Sequence, residues 1–151
     1  MSNDTTLFEQ PRLELSAYAE AAYRAMCRLD GAIDFDPTIS ELVRVRASMI
    51  NGCAYCVDAH TKDARAKGET EQRLYSIATW SEAPFYTDKE RAALALTDAV
   101  TLLSETKAPR EVWDHAREHF DEEELVQLLW TITAINAWNR VAVATRMLPG
   151  S

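Results

Sequence analysis

The stretch NGCAYCVDAH, Asn51 to His60, carries the side chains best suited to chemistry: Cys53, Cys56 and His60. Their separations of three, four and seven residues put all three on one face of a helix. Asn51 and Gly52 are typical of helix caps and positive-φ turns, so Cys53 is expected at a helix start. Unpaired backbone N–H groups and the positive end of the helix dipole favour a thiolate there. C-x-x-C motifs in such places lower a thiol pKa from about 8.5 toward neutrality, and the thiolate is the species that attacks disulfides and peroxides. His60, with an unperturbed pKa near 6.5, is suited to take or pass on the thiol proton. Three uses of this set compete: a redox dithiol, a zinc site and a structural pair of thiols. Zinc needs four ligands, of which His115 or His119, four residues apart on another segment, would have to supply the last. There is no second C-x-x-C, and no glutamate or cysteine pattern accompanies the two histidines, which read as a solvated face. The redox dithiol is the favoured reading.

Helices are the elements that must position these groups. Leu15, Tyr18, Ala22, Met26 and Leu29 recur at spacings of three and four, which predicts a helix over 13–29 ended by Gly31. Within it Cys27 is expected to be a buried small hydrophobe. Pro37 and Thr38 open a second helix that ends at Asn51 and Gly52, and a third runs from Cys53 to Lys67 before Gly68. Thr70 and Glu71 begin a short fourth, and SEAPFY is a loop. One helix is expected over TDKERAALALTDAVTLLSE from Asp88, and a shorter one from Pro109 and Arg110. Asp121 and Glu124 form a capping-box pattern ahead of a long apolar helix with a break expected near Asn136. Trp80, Trp113, Trp130 and Trp138 read as anchors of the core or of a subunit interface. No alternating pattern of strands stands beside these, so the fold class is all-α, a helical bundle with short connections.

The chain has 151 residues, of which 47% are hydrophobic and 26% charged, the profile of one globular domain over 1–151. Its formal charge of −8 lacks the electrostatic footprint of a nucleic-acid binder and disfavours anionic membranes. No segment approaches the roughly 18 apolar residues of a membrane span, and MSNDTTLFEQ has no signal-peptide pattern, so a cytoplasmic location is expected. In a reducing compartment a close C-x-x-C pair is more often catalytic, redox-sensing or metal-binding than structural.

The stretch ELVRVRASMINGCAYCVDAHTKDARAKG, residues 41 to 68, resembles the redox core of the AhpD-like alkylhydroperoxidases of the carboxymuconolactone decarboxylase superfamily. That pattern has a glutamate twelve residues before the first cysteine, then N-G-C-x-Y-C or N-G-C-x-H-C, then a histidine four residues after the second. Glu41, Ser48, Asn51, Gly52, Cys53, Tyr55, Cys56 and His60 stand at the matching places. The segment AINAWNR, 134 to 140, resembles a further piece of the family, with Asn136 and Asn139 capping or bridging helices. The resemblance implies an AhpD-like helical fold assembled as a homo-trimer or homo-hexamer, with no bound cofactor. It implies a catalytic set of Cys56, Cys53, His60 and Glu41, with Cys56 attacking a small hydroperoxide and Cys53 completing the disulfide. Glu41 and His60 would relay protons, and a thiol electron donor would reopen the disulfide. Helix-terminus reasoning alone would instead make Cys53 the more thiolate-like sulfur. Tyr55 departs from members that carry histidine between the cysteines. A general thiol–disulfide oxidoreductase or redox sensor, and a non-enzymatic oligomer with a vestigial dithiol, are the alternatives. A lactone decarboxylase is disfavoured, because members with that activity lack this C-x-x-C with its glutamate and histidine.

Overall fold

A computed structural model of the chain describes residues 9–150. The signal-peptide reading of MSNDTTLFEQ falls mostly on residues 1–8, outside that range. The described residues form eight α-helices and no strand: α1 Glu20–Ala32, α2 Pro37–Asn51, α3 Ala54–Ala66, α4 Glu71–Ser76, α5 Asp88–Thr101, α6 Leu103–Thr106, α7 Arg110–His119 and α8 Glu122–Ala144. The expected all-α class is observed.

Helix α2 is the hub, packing against α3, α5 and α8. Proline stands at its first turn, and the Asp36 carboxylate accepts the Ile39 N–H at 2.9 Å. Its residues divide between the core clusters: Ile39 and Val43 pack with Leu96, Phe120, Leu128 and Ile132, whereas Leu42 and Val45 pack with Leu74, Ile77 and Leu94. A third cluster joins Ala47 of α2 to Cys53, Cys56, Ile135 and Ala142. The dithiol is thereby seated on the inner face of α8.

A polar seam fixes the angle and register of α2 on α8. Asn51 Nδ2 donates to both Asn136 Oδ1 and Asn139 Oδ1 at 2.9 Å, and Asn139 Nδ2 donates to Ser48 Oγ at 3.0 Å. Asn136 Nδ2 reaches Thr101 Oγ1 of α5 at 3.0 Å. Asn136 and Asn139 thus bridge helices as expected, and the same contacts explain why α8 does not break. Asn136 spends its amide on these partners and on the Ile132 carbonyl one turn back, at 2.9 Å, leaving the helix ladder intact to Ala144.

Three other boundaries differ from expectation. The first helix starts at Glu20, because Ala19 adopts the left-handed conformation (φ 52°) and a short 3₁₀ turn occupies Leu15–Ala17. It also passes through Gly31 to Ala32. The expected helix from Asp88 stops at Thr101, since Leu102 (ψ 41°) leaves helical geometry before the single turn of α6. Thr87 and Glu90 make a complete capping box for α5, whereas at α8 only the Asp121 half forms because Glu124 pairs with Lys89 at 2.9 Å.

Candidate active site

The turn between α2 and α3 builds the site. Gly52 is left-handed (φ 70°), with its N–H donating to the Met49 carbonyl at 3.3 Å and the Cys53 N–H donating to that of Ser48 at 2.9 Å. This double closure ends α2 and turns the chain back at once into α3. Cys53 is the N-cap residue of α3, and its Sγ accepts the Cys56 N–H at 3.2 Å. A sulfur in this position receives a backbone donor at the positive end of the helix, as the sequence argument expected. Cys53 and Cys56 are joined as a disulfide across 5.3 Å of Cα separation, and both are buried, 2% and 3% exposed.

His60, one helical turn after Cys56, faces Glu41 on the neighbouring α2. Its Nδ1 lies 3.1 Å from Glu41 Oε2, with Asp63 Oδ2 at 3.8 Å. The other Glu41 oxygen accepts from Lys67 Nζ at 2.7 Å and from Arg44 Nη1 at 2.9 Å. Burial alone would raise the Glu41 pKa, yet the hydrogen bonds from His60 and Lys67 and the charge of Arg44 outweigh it and hold the carboxyl at about 2. An ionised Glu41 can only accept, so His60 donates from Nδ1, and in the neutral ring this leaves Nε2 as the acceptor. Cys56 and His60 line one cavity of about 250 Å³ with Tyr23, Tyr55 and Trp138. The arrangement can hold a thiol, a proton acceptor and a small apolar molecule together.

Of the four residues singled out in sequence, Cys53 and Cys56 meet as a disulfide at the α2–α3 turn, Glu41 and His60 pair where α3 runs back along α2, and Cys56 and His60 share one cavity wall. Arg44 and Lys67 were missed. Arg44 is three residues from Glu41 on the same helix and was legible as an i,i+3 pair, whereas Lys67 arrives only because α3 folds back along α2. Cys27 corrects the expectation of a buried hydrophobe: it is exposed on α1, where no residue is fully buried, and its side borders the Cys56 cavity. The four-ligand zinc set is not assembled. His115 and His119 lie on α7 beside Glu118, a neighbouring acid the sequence reading overlooked, and form no cluster with the cysteines. His115 is exposed as expected of a solvated face, whereas His119 is half-buried.

The chain is similar to known proteins over most of its length. The model of the carboxymuconolactone decarboxylase family matches residues 20–99. An uncharacterized protein of Bacillus subtilis (strain 168), YdfG, is 48% identical over 107 residues, covering 71% of this chain and 73% of that one. A protein of unknown function from Agrobacterium tumefaciens, proposed as the antioxidant defence protein AhpD, superposes with a TM-score of 0.92 at 38% identity over 94% of this chain and 99% of that one. The fold is also shared with an uncharacterized peroxidase-related protein from Ralstonia eutropha JMP134 that has an alkylhydroperoxidase AhpD core (TM-score 0.79, 22% identity, 90% and 74% coverage). With the helical fold, the C-x-x-C pair and the matched span, the chain belongs to the carboxymuconolactone decarboxylase family and to its AhpD-like branch.

Proposed function

We propose that the protein is a thiol-dependent peroxidase that reduces small organic hydroperoxides through the Cys53–Cys56 pair. The observation that carries this reading is the polarised His60, with Glu41 fixed on its Nδ1, in the wall of the cavity that Cys56 also lines. In the reduced enzyme Nε2 of His60 takes the Cys56 proton, directly or through water. The Cys56 thiolate attacks the terminal oxygen of ROOH, the O–O bond breaks, and the alkoxide leaves with that proton as ROH. The Cys56 sulfenic acid then loses water to the Cys53 thiol, giving the disulfide. Two thiols and ROOH become one disulfide, ROH and water, and a thiol donor restores the pair.

Burial of both sulfurs weighs against a general oxidoreductase for protein disulfides, because a folded partner could not bring its sulfur to within bonding distance. The cycle suits a reducing cytoplasm, where a donor thiol is at hand. The exposed apolar stripe of α1 supports a homo-oligomer, a trimer or hexamer by family resemblance.

Turnover of tert-butyl or cumene hydroperoxide with excess dithiothreitol tests the reading. Wild type should consume peroxide, Cys56→Ser and Cys53→Ser should lose turnover, and wild type should lose two hydrogens per chain after one equivalent of peroxide. Equal consumption by wild type and Cys56→Ser would defeat it.

A further inference from the structure

Helix α7 carries a second cluster of metal-ligating side chains, away from the dithiol. His115, Glu118 and His119 stand at i, i+3 and i+4, so they share one stripe of the helix. Their ligand atoms all lie within 4.8 Å of one another, and His115 Nδ1 is 3.8 Å from Glu118 Oε2. The two imidazole rings already stand together, edge to face, with centroids 5.2 Å apart. Helix α7 packs on α5 and α8, and its buried Ala116 belongs to the core cluster of Phe120 and Leu128, whereas the dithiol belongs to that of Ile135 and Ala142.

We infer that His115, Glu118 and His119 form a surface site for one divalent cation of the zinc class, with water completing its coordination. Ligand chemistry selects the class: two imidazoles and one carboxylate suit Zn²⁺ and its neighbours Co²⁺, Ni²⁺ and Cu²⁺, whereas Mg²⁺ and Ca²⁺ call for oxygen donors. Two histidines and one carboxylate, with water in the fourth position, are a recurrent zinc coordination. With bonds of about 2.0–2.2 Å, tetrahedral zinc places its ligand atoms about 3.4 Å apart. His115 and Glu118 are exposed, so their side chains can turn to close the remaining distance onto the half-buried His119.

The position also favours positive charge. The stripe ends at the C-terminus of α7, where unpaired backbone carbonyls form the negative pole of the helix. Glu111, one turn before His115, lies on the same stripe, and over residues 110–124 seven acids stand against two arginines. Of these, Arg117 projects from the opposite side of α7 and approaches Glu122 at 3.9 Å. Among the described residues the only ion pair of Glu118 is with His115. Glu41, His60 and Asp63 make the contrast, since they too bring three ligand atoms within 4.8 Å. There Lys67 and Arg44 already hold a Glu41 oxygen at 2.7 and 2.9 Å, so a metal ion would meet two fixed positive charges. The α7 set has the donors without the resident cations.

Zinc binding to full-length, tag-free protein tests the site, using the oxidised form in which Cys53 and Cys56 are tied up as a disulfide. Calorimetric titration with zinc sulfate should show one ion per chain, and EDTA should remove it. His115→Ala and His119→Ala should each weaken binding at least about tenfold, and Glu118→Gln by a smaller factor. Asp63→Asn and Cys27→Ser should bind as wild type does. The chain has three histidines, which gives a direct second readout. In imidazole ¹H–¹⁵N spectra zinc should shift His115 and His119 and leave His60 in place. Zinc should also raise the unfolding temperature of wild type and leave that of the double variant His115→Ala with His119→Ala unchanged. No binding at sub-millimolar zinc, binding that survives the double variant or is lost in Asp63→Asn or Cys27→Ser, or a shift confined to His60 would overturn the site. Calcium binding as tight as zinc would overturn the ligand class. These outcomes are independent of peroxide turnover.

Discussion

At the scale of single residues the decisive group is Glu41, a buried carboxylate surrounded by His60, Arg44 and Lys67. Glu41→Gln keeps the shape and removes the charge that orders the imidazole, so peroxide turnover is expected to fall by about 10- to 100-fold, a typical loss when a residue that orients a working histidine is changed. His60→Ala should fall at least as far, and steady-state kinetics on both variants with unchanged circular dichroism would check this. The same carboxylate couples stability to pH. Its pKa is lowered from 4.5 to about 2 on folding, so its contribution is fully present above about pH 4.5 and is lost as pH falls toward 2. The shift corresponds to on the order of 3 kcal/mol. Urea denaturation should therefore find Glu41→Gln less stable than wild type at pH 6, with the gap closing between pH 4.5 and 2. A gap that stays constant across that window would show that the ion cluster does not stabilise the fold.

At the scale of elements, the α2–α3 turn does two jobs, ending one helix and presenting Cys53 as the cap of the next. Gly52 makes this possible with a φ of 70°, and a Cβ placed there would meet nothing within 4 Å. Gly52→Ala should therefore cost only backbone strain, about 1–2 kcal/mol, and thermal unfolding should show it as a fall of several degrees. A larger loss would point to a packing contact at the turn. The fold of this segment was legible in the sequence because its signals are local: cap residues for the two helices and helical spacing for Cys56 and His60, with Cys53 standing one residue before α3 as its cap. Glu41 was different. Twelve residues upstream on another helix, it was one acid among several until the family pattern singled it out, since its meaning lies in a tertiary contact. Lys67 had no such pattern and went unseen. The same limit explains α8, where Asn136 looks like a breaker until its partners Asn51 and Thr101 are in place. It also explains α1, whose periodic stripe says helix but cannot register the left-handed Ala19 that delays its start. Cys27 was misplaced because periodicity says which face is apolar, not whether anything covers it.

For the whole molecule the half-open face of α1 bears on assembly. Helix α1 is amphipathic yet has no fully buried residue; it meets the described core through the edge of Tyr23 on Trp138, with ring centroids 5.8 Å apart, through Asp30 at 4.0 Å from Arg44, and through the half-buried Met26 and Leu29. A helix of 13 residues is marginal in water unless an apolar face is packed, so further cover of this half-open face would stabilise α1. Tyr18 and Leu13 beside it are exposed as well, extending the apolar strip. Because α1 supplies Tyr23 and Cys27 to the cavity bordering Cys56, its docking also determines how closed that cavity is. A second copy of the chain covering α1 would stabilise the helix and shut the cavity bordering Cys56 from solvent together. Light scattering on wild type is expected to give a multiple of the 17.0 kDa chain mass. The double variant Tyr18→Glu with Met26→Glu places like charges on the strip and should shift the mass to that of one chain. In the same sample Cys56 of the reduced protein should alkylate several-fold faster, as α1 loosens over its cavity. A wild type that runs as a 17.0 kDa monomer, or a double variant that stays assembled, would remove α1 from the interface.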